Sequence, residues 1–165
     1  MPPPPFNAST HGLMGERFFR VYARSGRLYF ISYRGRSKLQ RVLGQFGLLG
    51  ALLWLAFRKR FERKIEKLLA EFDQADPQAL LGRDSASFAL EGKQLLEQSV
   101  APAGLLKRGS AIAQWKFTAP EKAMTLSLPT PKDVDAALAL LPRVSDVRVE
   151  LEWDVQKRKY IRRAA

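Results

Sequence analysis

The sequence predicts an α+β fold, and three observations carry that prediction. Short segments alternate apolar and polar residues with period two, as half-buried strands do. One long stretch, Leu39 to Phe72, instead repeats apolar residues at three, four or seven positions, which is helical spacing. A shorter helix is signalled late in the chain by Thr130-Pro131-Lys132-Asp133, with Thr130 as cap and Pro131 at the first helical position.

In chain order, residues 1–15 read as a disordered Pro-rich tail, because Pro2 to Pro5 favour an extended, exposed arm. The start lacks the basic segment and apolar core of a signal peptide. Residues 16–165 read as a single domain with a helical insertion over about 38–76. Phe18 to Arg24 and Arg27 to Tyr33 alternate around Ser25-Gly26, a hairpin signal. Ser37 is placed to cap the next helix. That helix carries Leu39, Leu43, Phe46, Leu53, Phe57, Phe61, Ile65, Leu68 and Phe72 as one stripe, with Gly50 filling the gap. Asp76-Pro77 ends it. Ser87 to Leu90 and Leu95 to Val100 read as a strand pair around Glu91-Gly92-Lys93. Ala111 to Thr118 and Ala123 to Leu128 read as a second hairpin. The late helix has Val134, Ala137, Leu138 and Leu141 as its apolar face, and Pro142 stops it. Val147 to Trp153 alternates strictly and reads as one strand, with an edge strand following over Val155 to Ile161.

An apolar content of 46% suits a folded core and is far above that of a disordered chain. The chain has no Cys and a single His, His11. That excludes a disulfide framework, thiol chemistry and zinc sites built on His and Cys. Without a nucleophile elbow, a phosphate loop or a metal cluster, no enzyme, cofactor or catalytic residue is expected. Glu150, Glu152 and Asp154 share one face of a strand. Their expected role is a solvent face matched in charge by Lys157, Lys159 or neighbouring Arg.

The formal net charge is +12, and between Glu16 and Lys67 there are 14 Lys and Arg against three acids. Such an excess concentrates anionic surfaces around the chain, phospholipid or nucleic acid among them. The run Val42 to Phe57 is apolar on all sides for 16 residues. As a helix it would be roughly 24 Å long, short of the ~30 Å of a bilayer core. Its burial has four solutions: this domain's own sheet, a membrane interface, a second copy, or a partner groove. Gly44, Gly47 and Gly50 lie close to one face, where small residues let another helix approach.

The order of elements resembles the PH-like superfamily, and its GRAM branch in particular. Arg27-Leu28-Tyr29-Phe30-Ile31 is similar to the GRAM strand with an Arg-Leu-aromatic-aromatic run. Phe88-Ala89-Leu90 followed by Leu95 to Val100 resembles its apolar strand, turn and second strand. Trp115-Lys116-Phe117, Met124 to Leu128 and the helix Val134 to Leu141 resemble its closing hairpin and capping helix. The resemblance implies a bent antiparallel sheet or small barrel plugged by a helix, here with a long helix inserted after the first hairpin. It also implies binding of phosphorylated lipid head groups or peptides rather than chemistry.

The expected function is therefore a non-enzymatic, membrane-associated or interaction module at the cytoplasmic membrane periphery, with an anionic membrane surface or a protein as partner. Arg58, Lys59, Arg60, Arg63, Lys64 and Lys67 are the candidate lipid- and anion-binding residues. Phe46, Leu53, Trp54 and Phe57 are the candidate insertion or partner residues, since Trp favours the head-group level. The alternative is a soluble homo-oligomeric scaffold joined through Gly44, Gly47 and Gly50. Nucleic acid is the rival polyanion, which the Arg and Tyr residues of the first hairpin would meet; with no RNA-recognition signature and no named DNA-reading motif, it is not the expected partner.

Overall fold

The computed structural model describes residues 3–12, 15–33, 47–104, 111–121 and 123–163. Its elements are β1 (Phe6–Gly12), β2 (Gly15–Arg24), β3 (Arg27–Tyr33), α1 (Gly47–Gln74), α2 (Pro77–Leu80), β4 (Phe88–Glu91), β5 (Leu96–Pro102), β6 (Ala113–Thr118), β7 (Ala123–Leu128), α3 (Pro131–Leu140), β8 (Arg148–Val149), β9 (Leu151–Asp154) and β10 (Lys159–Arg162). Among the described residues, eight strands form one sheet in the order β4-β3-β2-β1-β7-β6-β5-β8, and β9 pairs with β10 in a separate ribbon. Neighbours are antiparallel except β5 and β8, which run parallel. The fold is thus α+β, as the patterning predicts.

The sheet is curled. β4 and β5 stand six strand spacings apart in the sheet order, which would be about 29 Å if it were flat. Yet only residues 92–95 separate them, a span of at most ~18 Å. The rings agree: Phe30 on β3 lies 5.7 Å from Trp115 and 5.9 Å from Phe117, both on β6. Curling brings the inner faces of β1–β4 and β5–β7 against each other around Phe6, Phe30, Trp115 and Phe117. β4 and β5 share no ladder among the described residues, so the sheet does not close.

The expected tail is corrected. Phe6–Gly12 is β1, paired with β2 along its whole length and bridged to β7 at Ser9. Phe6 and Ala8 are fully buried, so the period-two pattern is present, disguised by small residues beside the prolines. The expected pairing of the strands around Glu91-Gly92-Lys93 is also corrected. β4 pairs with β3, β5 pairs with β6, and a 3₁₀ turn over Gly92–Gln94 carries the chain between them. The strand expected over Val147 to Trp153 is split: β8 joins the main sheet, and β9 forms a ribbon with β10.

Other readings hold. The first hairpin turns at Ser25-Gly26, both at positive φ. β6 and β7 pair in register from Ala113↔Leu128 to Thr118↔Ala123. Thr130 caps α3, its hydroxyl accepting from the Asp133 amide, and Val134, Ala137 and Leu141 enter the main core as expected, with Leu138 half-buried against it and Leu140, outside the expected face, fully buried. α3 thereby packs onto β1 and β7.

The helix expected over 39–72 is corrected at its start. Gly47 opens α1 with φ +56, in the left-handed region that a regular right-handed helix cannot pass through. The preceding stretch, with Phe46 and Gly44, lies outside the described residues.

Candidate functional site

The site is built on α1, 28 residues or about 42 Å of helix. Its apolar stripe is not satisfied evenly. At the C-terminal end Phe72 is 4% exposed and sits with Leu68 and Leu69 against Tyr22, Tyr29 and Ile31 on the outer face of β2 and β3, and against Leu80 of α2. Going back along the helix, Ile65 and Phe61 are half-buried. Phe57 is 49% exposed and Leu53 39%; Leu55 reaches 64% and Leu48 85%. Leu53 and Phe57 of the stripe are thus exposed, whereas Gly50, on the same stripe a turn before Leu53, is buried; Leu48 and Leu55 lie off the stripe.

Ion pairs fix the docked end. The Arg20 guanidinium donates to both Asp73 carboxylate oxygens, at 3.1 and 2.8 Å, and the Tyr22 hydroxyl donates to Asp73 at 2.7 Å. Burial alone would pull Arg20 down, but the Asp73 hydrogen bonds and charge leave its pKa raised. Burial first, then Asp73, pushes the Tyr22 phenol well up. Arg24 reaches Asp76 at 2.8 Å. Asp76 also caps α2, accepting from the Gln78 amide. Sequence reasoning assigned no role to Asp73; its position one residue after the last stripe residue, Phe72, was the available signal.

These pairs bear on the polyanion readings. Arg20, Arg24 and Arg27 of the first hairpin meet Asp73, Asp76 and Glu91 respectively. Tyr22 and Tyr29 are buried beneath α1 and α2. These three cations and two rings are therefore already engaged within the fold, while Arg17 is exposed and Phe18 and Tyr33 are half-buried; Arg34 and Arg36 lie outside the described residues. Two of the three acidic strand residues are matched: Glu150 meets Arg148 and Arg162, and Asp154 meets Lys157, while Glu152 joins no ion pair among the described residues.

The cations of α1 are differently placed. Arg58, Lys59, Arg60, Arg63, Lys64 and Lys67 are all exposed. Arg58 is paired to Glu62 one turn on, at 2.9 Å. The other five join no ion pair among the described residues. At about 100° per residue they fall within an arc of roughly 140°, facing away from Phe61, Ile65, Leu68 and Phe72. Glu71 is the acid of α1 that falls in the same arc, a turn beyond Lys67. Leu48 and Leu52 continue one side of this arc toward the N-terminus of the helix, and Leu53 and Phe57 the other. The side chain of Trp54 lies outside the described residues. Of the glycines, Gly47 has open space around its Cα and starts the helix, so it does not act within a continuous helical face.

What results is a helix docked at its C-terminal end, whose outward side is cationic in the middle and apolar toward its N-terminus. It can attract an anionic surface and insert leucines into it; no cluster of His, Cys, Asp and Glu that could hold a metal ion occurs among the described residues. Nor is any helix among the described residues long and apolar enough to cross a membrane. No protein-family model, curated protein or solved structure matches this chain.

Proposed function

We propose that this chain is a non-enzymatic, PH-like module that associates peripherally with anionic phospholipid membranes at the cytoplasmic face, through the outward side of α1. One observation carries the reading: Leu48, Leu52, Leu55 and Phe57 are exposed on the same helix that presents five cations with no ion-pair partner among the described residues. Each Lys or Arg near an anionic bilayer contributes about 1 kcal/mol, and a nearby row of leucines adds insertion into the interface. The PH-like label draws support from the curled sheet and from α3, which packs against it as the resemblance implies; it remains a statement of similarity, and fold alone does not fix function.

The test is co-sedimentation with vesicles rich in phosphatidylserine, compared with phosphatidylcholine alone. Binding is expected to the anionic vesicles only. It should weaken as salt rises, since exposed charges are screened beyond ~8 Å at physiological ionic strength. The triple change Lys59→Glu, Arg63→Glu and Lys67→Glu should lower the bound fraction at least tenfold without unfolding the domain. Equal binding by that variant would refute the reading. A defined oligomer that forms without lipid, ignores salt and is broken by Leu52→Lys would favour the alternative, a homo-oligomeric scaffold.

A further inference from the structure

The curled sheet leaves an opening at one end, between β4 and the turn joining β6 to β7. A cavity of about 450 Å³ lies there, within the ~300–1,000 Å³ range of small-molecule sites. We propose that it is a second binding site, distinct from α1, that takes a single-chain anionic amphiphile with its tail inward and its head group on Arg17.

The tail end is defined by the inner face of the sheet. Phe19, Phe88, Leu90, Ala119 and Met124 line the cavity. Phe19 and Ala119 belong to the buried core, and Phe88, Leu90 and Met124 pack on it half-buried. Phe88 stacks on Phe30 at 4.4 Å and meets Phe19 edge-on at 5.8 Å. These rings hold the floor rigid. β4 has no ladder partner on this side among the described residues, so the two walls are not tied together by backbone hydrogen bonds, and a tail can pass between them.

The head-group end follows from the register of β1 and β2. Residues two apart on a strand share a face. Arg17, Phe19 and Val21 therefore form one inward row, and Phe19 and Val21 are buried in the core. Arg17 is the end of that row, standing opposite Thr10 on β1. It is exposed, and it joins no ion pair among the described residues. This differs from Arg20, Arg24 and Arg27, whose acids are all in place. A cation closing an apolar row selects a ligand that is apolar at one end and anionic at the other; Thr10 and Gln94 at the rim add hydrogen-bonding capacity. Glu121 also lines the cavity, which directs an anionic head to the Arg17 side and disfavours a doubly anionic one. The volume suits one chain rather than two.

Titration calorimetry of the full chain with octanoate, decanoate and dodecanoate, below their micelle concentrations, tests this. Affinity should rise roughly tenfold for each two carbons until the cavity is full. Decanoate should bind more tightly than decanol, and Arg17→Gln should erase that preference while leaving decanol binding unchanged. Met124→Trp, which narrows the cavity, should weaken binding of both, and circular dichroism shows whether this variant is folded. Leu48→Ser with Leu52→Ser on α1 should leave decanoate binding intact. Methyl shifts on decanoate addition, centred on Leu90 and Met124, read the same site without any substitution. The proposal is overturned if decanoate fails to bind, if binding follows the α1 leucines, if Arg17→Gln leaves the carboxylate preference in place, or if only an extended apolar peptide shifts these methyls.

Discussion

Gly92 turns the chain out of β4 at a point with no room for a side chain, because a Cβ there would run into the Val144 carbonyl oxygen. The contact is with backbone, which cannot swing aside. Gly92→Ala is expected to cost about 1–3 kcal/mol as overpacking, seen as a fall in Tm of roughly 5 °C. Gly82→Ala, which meets open space, is the control and should leave Tm within error; equal behaviour of the two would refute the account. Arg20 carries the other lesson at this scale. In the sequence it is one of many arginines beside tyrosines. In the structure its side chain is 14% exposed, clasped by Asp73 from 53 residues away. Charge could be counted from the sequence, but partnership could not, because it depends on which distant acid is brought within about 3 Å.

α1 is an element with two fates along one stripe. Its last turns are held by Phe72 in an apolar seat and by Asp73 in an ion pair; its first turns are held by neither. Phe72→Ala should weaken docking by about 3 kcal/mol. Asp73→Ala should weaken it by about 1–3 kcal/mol, since it leaves Arg20 half-buried and unpaired. Hydrogen exchange is the measurement: amides of residues 61–74 should exchange faster in both variants, while those of β6 and β7 stay protected. Unchanged protection over 61–74 would mean that the helix is held by something else. The 3.6-residue period was legible from the sequence over this helix, as were its stop at Asp76-Pro77 and the cap Thr130; the cap that Asp76 gives α2 was not. The burial gradient was not legible, because periodicity reports which residues share a face and not how far a sheet extends beneath that face. The left-handed Gly47 was likewise hidden among three glycines of equal appearance.

For the whole molecule, β1 joins the two halves of the curled sheet, since it neighbours β2 on one side and β7 on the other. Removing residues 1–12 should therefore abolish cooperative thermal unfolding and near-ultraviolet dichroism, whereas a disordered tail could be removed without effect; retained cooperative melting would contradict this role. The sequence by itself determined the α+β class, most strand and helix positions, the cationic character of the long helix and the lack of residues for thiol chemistry or for zinc sites built on His and Cys. All of these follow from local periodicity, turn chemistry and composition. Only the tertiary structure decided that Phe6–Gly12 is a central strand, that β4 and β5 part company at Gly92, which arginines are neutralised, and where Arg17 meets an apolar opening. Each depends on curling the sheet, which brings residues far apart in the chain into contact through pairings that no local pattern encodes.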